Sequence, residues 1–386
     1  VVVSVACVLL LGSCGTASGD GDRRRAGLSR QPADPEPVVL HLQPDEQLNS
    51  VEPGRLPTVS AEQGTIEKVT LVGADGTRVD GALTSGASEW VAGEKLGFGK
   101  KYTLTAVGTN DSGERRRTST TFTTAQPRVT TQVRTNFSDG QTVGIGMPLI
   151  FTFTQPVSDR EAVERTLNIE TDPDTTGAFH WFSDSRVVWR PKEHWQTGTT
   201  ISVDVEIYGR DLGNGVFGAQ DYSFELDVGD KVVATADGAS HEMTVRVNGD
   251  TVKTYDISMG RPTNPTPNGT YTVMRDHTNY VMNSESFGVP SDAPGGYKVT
   301  VDYATRLSAT GIFFHSAPWS VVDQGVRNVS HGCINMTTSG AAWLMEHTKP
   351  GDLVTVVNGG GGRLQPTDGW SYWQMSWKEW TSAPQE

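Results

Sequence analysis

The chain has 386 residues, 35% of them hydrophobic, and 32 Lys+Arg against 45 Asp+Glu give a formal net charge of −13. Such a chain buries real cores, enough for about two to four domains, so it is neither fully disordered nor predominantly embedded in a membrane. It lacks a basic block able to track a phosphate backbone, which excludes nucleic acid as a partner.

Val1 to Leu11 is an almost continuous apolar run. It is too short for a bilayer crossing of ~17–25 residues and suits the hydrophobic part of an export signal. Leu11-Gly12-Ser13-Cys14 resembles a bacterial lipobox, which implies a signal peptide over 1–13 and a lipidated Cys14 anchored in a membrane. Residues 14–37 are rich in Gly, Ser, Asp, Arg and Pro without an apolar period, and read as a flexible tether behind that lipid. Of the three cysteines, Cys7 leaves with the signal and Cys14 carries lipid. Cys333 is left without a disulfide partner, and in an exported protein such a thiol calls for a chemical role.

Strand and turn signals follow. Over 38–126 they include Val38-Val39-Leu40, Thr65 to Val72, Lys101 to Val107, and a polar β-branched run Thr118 to Thr124. Over 127–228 they include Leu149 to Phe153, Arg186 to Trp189, Thr200 to Val205 and Tyr222 to Leu226, with a short helix expected in Val157 to Leu167. Pro191 is expected to end the strand before it. Two successive modules of short strands read as immunoglobulin-like β-sandwiches, although neither has the paired cysteines of antibody domains. The third section, 229–358, opens with a hairpin around Asn248-Gly249. A loop with three prolines, Arg261 to Gly269, leads into a strand at Thr270 to Met274. Gly311 to His315 reads as a buried strand, Thr337 to His347 as a short helix, and Asp352 to Val357 as a closing strand. In 359–386 the cluster Trp370, Tyr372, Trp373, Trp377 and Trp380 is expected to dock on the domains before it, with sugar or wall binding as the alternative.

The chemistry concentrates in His315-Ser316-Ala317-Pro318-Trp319 and Ser330-His331-Gly332-Cys333-Ile334-Asn335. A free cysteine beside two histidines is what a thiol nucleophile needs, because an imidazole accepts the thiol proton. Gly332 permits a tight turn, so amides from His331 to Cys333 can face one cavity and stabilise an oxyanion. From the residues alone either histidine serves as base. A buried inert cysteine stays open, as does a metal site of His315, His331 and Cys333 with His277 in reserve.

The same stretch resembles the signature of bacterial L,D-transpeptidases with a YkuD-type catalytic domain: a histidine, about fifteen residues, then Ser/Thr-His-Gly-Cys-hydrophobic-Asn. Fifteen residues separate His315 from His331, and Ser330 to Asn335 completes the pattern. Over the whole chain, the resemblance is to cell-wall enzymes of mycobacteria and related actinobacteria. It implies a mostly β protein with two immunoglobulin-like sandwiches, a β-rich catalytic domain and a Trp-rich extension.

The resemblance implies roles for matching residues: Cys333 as nucleophile, His315 as base, the Ser316 carbonyl as its orienter, and His331, Gly332 and Cys333 as the oxyanion stretch. Trp319 and Asn335 support the pocket, Met282 walls it, and Tyr297 contacts substrate or oxyanion. Tyr280-Val281-Met282 and Gly295-Gly296-Tyr297 form parts of a lid. Phe287 falls where some relatives carry tyrosine, so no hydroxyl role passes to it. The implied reaction uses no cofactor and no metal. Cys333 takes an acyl group from a tetrapeptide peptidoglycan stem, releases D-Ala, and passes the acyl group to a second stem as a 3→3 cross-link. β-Lactams, carbapenems especially, are the implied covalent inhibitors. The implied location is the outer face of the membrane, lipid-anchored and reaching the wall. An L,D-carboxypeptidase and a non-catalytic peptidoglycan-binding protein are the alternatives.

Overall fold

Alternation of apolar and polar residues builds the first unit of the chain. In strand Lys101–Thr109 every second residue, Tyr102, Leu104 and Ala106, turns inward. It pairs with Thr65–Gly73 and Arg115–Thr123 in a four-stranded sheet. A second sheet carries Val39–Gln43, Thr58–Glu62, Glu89–Ala92 and Gly81–Leu83, and one core with Leu40, Val59, Leu71, Trp90 and Leu104 fills the space between them. Arg115-Arg116-Arg117 leaves the start of its strand exposed, as that run's polarity foretells. The structure, a computed structural model, describes residues 36–382 apart from 46, 47 and 85, and omits the side chains of 286 and 287. The expected signal peptide, Cys14 and nearly all of the tether lie outside the described residues.

The second unit repeats the plan. One sheet holds Val133–Thr135, Leu149–Phe153, Arg186–Pro191 and Gly177–Ser183; the other holds Gln141–Val143, Tyr222–Val228, Thr200–Val205 and Leu167–Asp172. One expectation changes here, and the expected end of a strand at Pro191 holds. The helix contracts to Arg160–Glu164, capped by Asp159 Oδ1 accepting from the Ala162 amide at 2.8 Å, because Leu167 already begins a strand. The strand through Trp189 continues to Pro191, which sits opposite Gly177 at its very end, where a missing N–H costs least.

The third unit holds two sheets. Six strands run in the order Asp250–Asp256, Glu242–Val247, Val232–Asp237, Leu353–Val357, Thr266–Thr272 and Gly360–Arg363. The expected hairpin forms with positive φ at Asn248 and Gly249. A four-stranded sheet follows in the order Arg275–Asn283, Lys298–Arg306, Phe313–Ser316 and Ile334–Met336, the last two parallel. Helix Thr338–His347 buries Ala341 and Leu344 in the core between the sheets. The long hairpin Arg275–Asn283/Lys298–Arg306 is not foreseen as strands, since Asp276, His277, Asn279 and Asp302 break any apolar pattern on its exposed face.

The tail docks as expected. Trp373 Nε1 donates to the Gly146 carbonyl at 2.8 Å and Trp380 Nε1 to the Ala178 carbonyl at 2.9 Å, both on the second unit. Gln374 Nε2 donates to the Thr270 carbonyl of the third unit at 2.9 Å, so the tail spans the two. Among the described residues no helix is long and apolar enough to cross a membrane.

Candidate active site

Parallel strands cannot be joined by a tight turn; they need a crossover of about a dozen residues or more. The stretch from Ala317 to Cys333 is that crossover, which is the physical reason for the spacing between the two halves of the motif. Register sets His315 opposite Asn335. Opposed residues of a parallel pair share a face, so His315 and Asn335 lie on one side of the sheet, and Cys333 immediately precedes its strand, two residues before Asn335. Cys333 thereby packs with Phe313, Met282, Val301 and Ala304.

His315 is 4% exposed, and its Nδ1 lies 2.9 Å from the Ser316 carbonyl oxygen. A carbonyl only accepts, so Nδ1 carries the proton and Nε2 is the basic nitrogen. Burial pushes the imidazole down to about 4, opposed only in part by hydrogen bonds to the Ser316 backbone and the Asn335 side chain. Cys333 is 6% exposed; its Sγ donates to the Gly311 carbonyl at 3.4 Å. Burial pushes this thiol up to about 11, against the Phe313 backbone and the Arg306 charge. The resting pair is therefore a neutral thiol and a neutral imidazole.

Ser330 stitches the turn before Cys333. Its Oγ donates to the Cys333 carbonyl at 2.6 Å and accepts from the Gly332 amide at 3.1 Å. Thr266 Oγ1 donates to the Gly332 carbonyl at 2.8 Å while accepting from the Gly260 amide at 2.9 Å. Gly332 has φ +120°, and an added Cβ would stand 3.0 Å from Ile312 Cδ1. Arg261 Nη2 donates to His331 Nε2 at 2.6 Å. A guanidinium has no acceptor, so His331 is neutral there, with its proton on Nδ1 and its basic nitrogen occupied. Burial and the Arg261 charge lower its pKa, against a hydrogen bond with the Gly295 backbone in the lid.

Of these groups His315, Ser330, His331 and Cys333 line a cavity of about 370 Å³. Met282 and Tyr297 form part of its wall; the Tyr297 ring lies 5.1 Å from that of His331, and burial pushes its hydroxyl up to about 12. Trp319 stands 53% exposed with its ring 6.0 Å from His315, and Asn335 Nδ2 donates to Ser320 Oγ at 3.0 Å. The lid segment is tied at Ser284, whose Oγ accepts from the Tyr297 amide at 2.9 Å and donates to its carbonyl at 3.1 Å. The Phe287 side chain lies outside the described residues; its backbone closes the short 3₁₀ turn Ser284–Phe287. His277 stacks on Tyr280 at 4.5 Å. Among the described residues no three His, Cys, Asp or Glu converge as a metal site, so the alternative set of His315, His331 and Cys333 does not form one.

Sequence reading missed Arg261, Thr266 and Asp323, and gave Ser330 no role of its own. Ser330 was visible in the motif. Arg261 and Thr266 lie in the proline-rich loop, whose approach to the motif appears only when Gly260 bridges Ser330 across the fold.

The model of the L,D-transpeptidase catalytic domain matches residues 231–356, and that of a bacterial Ig domain matches residues 48–211. The chain belongs to the L,D-transpeptidase family, a family of cysteine acyltransferases. It is 41% identical to L,D-transpeptidase 2 of Mycobacterium tuberculosis over 84% of this chain and 80% of that protein. To L,D-transpeptidase 5 of the same organism it is 33% identical over 89% of this chain and 76% of that one. A solved L,D-transpeptidase in complex with imipenem superposes with a TM-score of 0.51 at 36% identity, covering 58% of this chain and 99% of that chain.

Proposed function

We propose that the chain forms 3→3 peptidoglycan cross-links through a thioester on Cys333. The carrying observation is one cavity lined by both a free buried thiol and an imidazole whose Nδ1 is tied to the Ser316 carbonyl, leaving Nε2 basic. In the first half-reaction Cys333 Sγ attacks the carbonyl at the L-centre of the third residue of a tetrapeptide stem. The thiol proton passes to His315, and His315 returns it to the departing D-Ala amine as the C–N bond breaks. Because both groups are neutral at rest, charge develops only as the bond forms, where amides of the His331 to Cys333 turn stabilise the oxyanion. The base is His315 rather than His331, since Arg261 occupies the latter's accepting nitrogen. Tyr297, Met282, Trp319, Asn335 and Phe287 hold the stem under the lid. A second stem's side-chain amine then displaces the thiolate. Carbapenems acylate the same sulfur by opening their ring, a reading supported by the solved relative's imipenem.

The two-sheet units before the catalytic domain serve as two immunoglobulin-like spacers over 38–126 and 127–228, with the catalytic domain over 229–358 and the extension over 359–386. Cys14 carries the lipid that holds the protein on the outer membrane face, and the spacers let it reach the wall.

Intact-protein mass spectrometry with a tetrapeptide donor tests the reaction. The expected result is a thioester adduct on the wild type and none on Cys333→Ala, with D-Ala released and a dimer formed on adding acceptor stem. A shortened stem with no dimer would make the enzyme a carboxypeptidase, and equal adducts on both proteins would end the nucleophile assignment.

A further inference from the structure

The catalytic cavity has one feature the donor half-reaction does not use. Asp323, in the crossover between the motif halves, contributes to its lining beside His315, Trp319, His331 and Cys333. No other Asp, Glu, Lys or Arg lines that cavity among the described residues. With both histidines held neutral, Asp323 is the one charged side chain in that lining among the described residues, and Arg327 pairs with it from outside the cavity.

The carboxylate is only 14% exposed, while the Arg327 guanidinium that binds Oδ1 at 2.5 Å is 71% exposed. Arg327 thus holds Asp323 from the solvent side. The other oxygen makes no hydrogen bond among the described residues. The Asp323 backbone is independently fixed, its carbonyl accepting from the Val326 and Arg327 amides at 3.0 and 2.9 Å.

The geometry points to Asp323 as the specificity determinant that draws a primary ammonium acceptor to the acylated cysteine. This rests on the acyl-transfer reading above and deepens it: the group sets how the thioester divides between amine and water. A carboxylate in a cavity of low dielectric raises the local concentration of ammonium and has no such hold on water. In the step, the ammonium gives one proton to solvent and its nitrogen lone pair attacks the thioester carbonyl. As the C–S bond breaks, a second amine proton travels through His315 to the leaving sulfur, restoring the thiol.

The test uses the full chain with a tetrapeptide donor and a tripeptide stem bearing a free side-chain amine as acceptor. Expected for Asp323→Asn is an acceptor KM about tenfold higher, the loss of one charge-assisted hydrogen bond. Cys333 acylation and thioester hydrolysis stay within about twofold, so product shifts from dimer to shortened stem. Asp323→Glu recovers part of the KM. Arg327→Ala, which breaks the ion pair and leaves the carboxylate, keeps or lowers the acceptor KM. An unchanged KM in Asp323→Asn, or an equal rise in Arg327→Ala, overturns the inference while leaving acyl transfer intact. Absence of any adduct on the wild type overturns both.

Discussion

His315 and Cys333 line one cavity with neither of them charged, and this sets the pH behaviour. Acylation requires neutral His315 and does not wait for a thiolate. The β-lactam acylation rate, followed by stopped flow, is expected to rise as pH passes through about 4 and stay flat across neutrality. A tenfold increase per pH unit between 6 and 9 would mean instead that the thiolate is the reacting species. The same shift acts on stability. The folded pKa lies below the unfolded value, so the unfolded chain binds more protons between them, and stability falls as pH drops from 6.5 toward 4. The full effect is about 3 kcal/mol, and His315→Asn should flatten that part of the pH–stability curve measured by urea unfolding. Beside them, Gly332 holds φ +120°, a backbone conformation that a residue with a Cβ adopts only under strain. Gly332→Ala is expected to cost about 1–3 kcal/mol and to slow acylation more than it lowers the melting temperature suggests.

Between elements, the reactive turn is held by hydroxyls as well as by the apolar packing of Cys333. Thr266 carries a hydrogen bond from Gly260 to the Gly332 carbonyl, tying the proline-rich loop to the motif. Thr266→Val keeps the shape and leaves a buried amide and a buried carbonyl unpaired. A destabilisation of about 1–3 kcal/mol in urea titration is expected, with a slower acylation rate; no change in either would show the turn to be self-supporting. The parallel pair Phe313–Ser316 and Ile334–Met336 is the other decisive element, since its register sets His315 opposite Asn335, with the thiol at the entrance of the second strand.

At the scale of the molecule, the units are joined by buried polar and aromatic contacts. Arg190, nearly inaccessible, lies 4.7 Å from the Trp373 ring centroid and 4.6 Å from that of Trp380, and burial lowers its pKa to about 10. Trp380→Ala empties that packing, and a loss of about 3–5 kcal/mol is expected, read as thermal unfolding and early proteolysis of the tail, while folded protein still acylates. Asp352 packs against Gly144 of the second unit, with Lys349 Nζ 3.7 Å from its Oδ2. Burial raises its pKa to about 7. Here the folded value lies above the unfolded one, so stability present at low pH is lost as pH rises through 7. The melting temperature should fall from pH 5 to pH 8 in the wild type and much less in Asp352→Asn.

The motif from His315 to Asn335 made the reaction class legible through its resemblance to the L,D-transpeptidase signature, whereas its residue types alone left an inert cysteine and a metal site open. Strands such as Lys101–Thr109 were equally legible, since a half-buried strand must alternate. The lid hairpin was not, because both its strands carry polar residues where partners and solvent, rather than a core, receive them. Nor could the residues alone, without the family resemblance, choose between the two histidines. Arg261 stands 70 residues from His331 in the chain, and Asp323 faces the cavity only through the path of its loop. Local pattern records what each residue prefers; which nitrogen is free and which charge faces a cavity depend on groups brought together across the fold, and those only the tertiary structure decided.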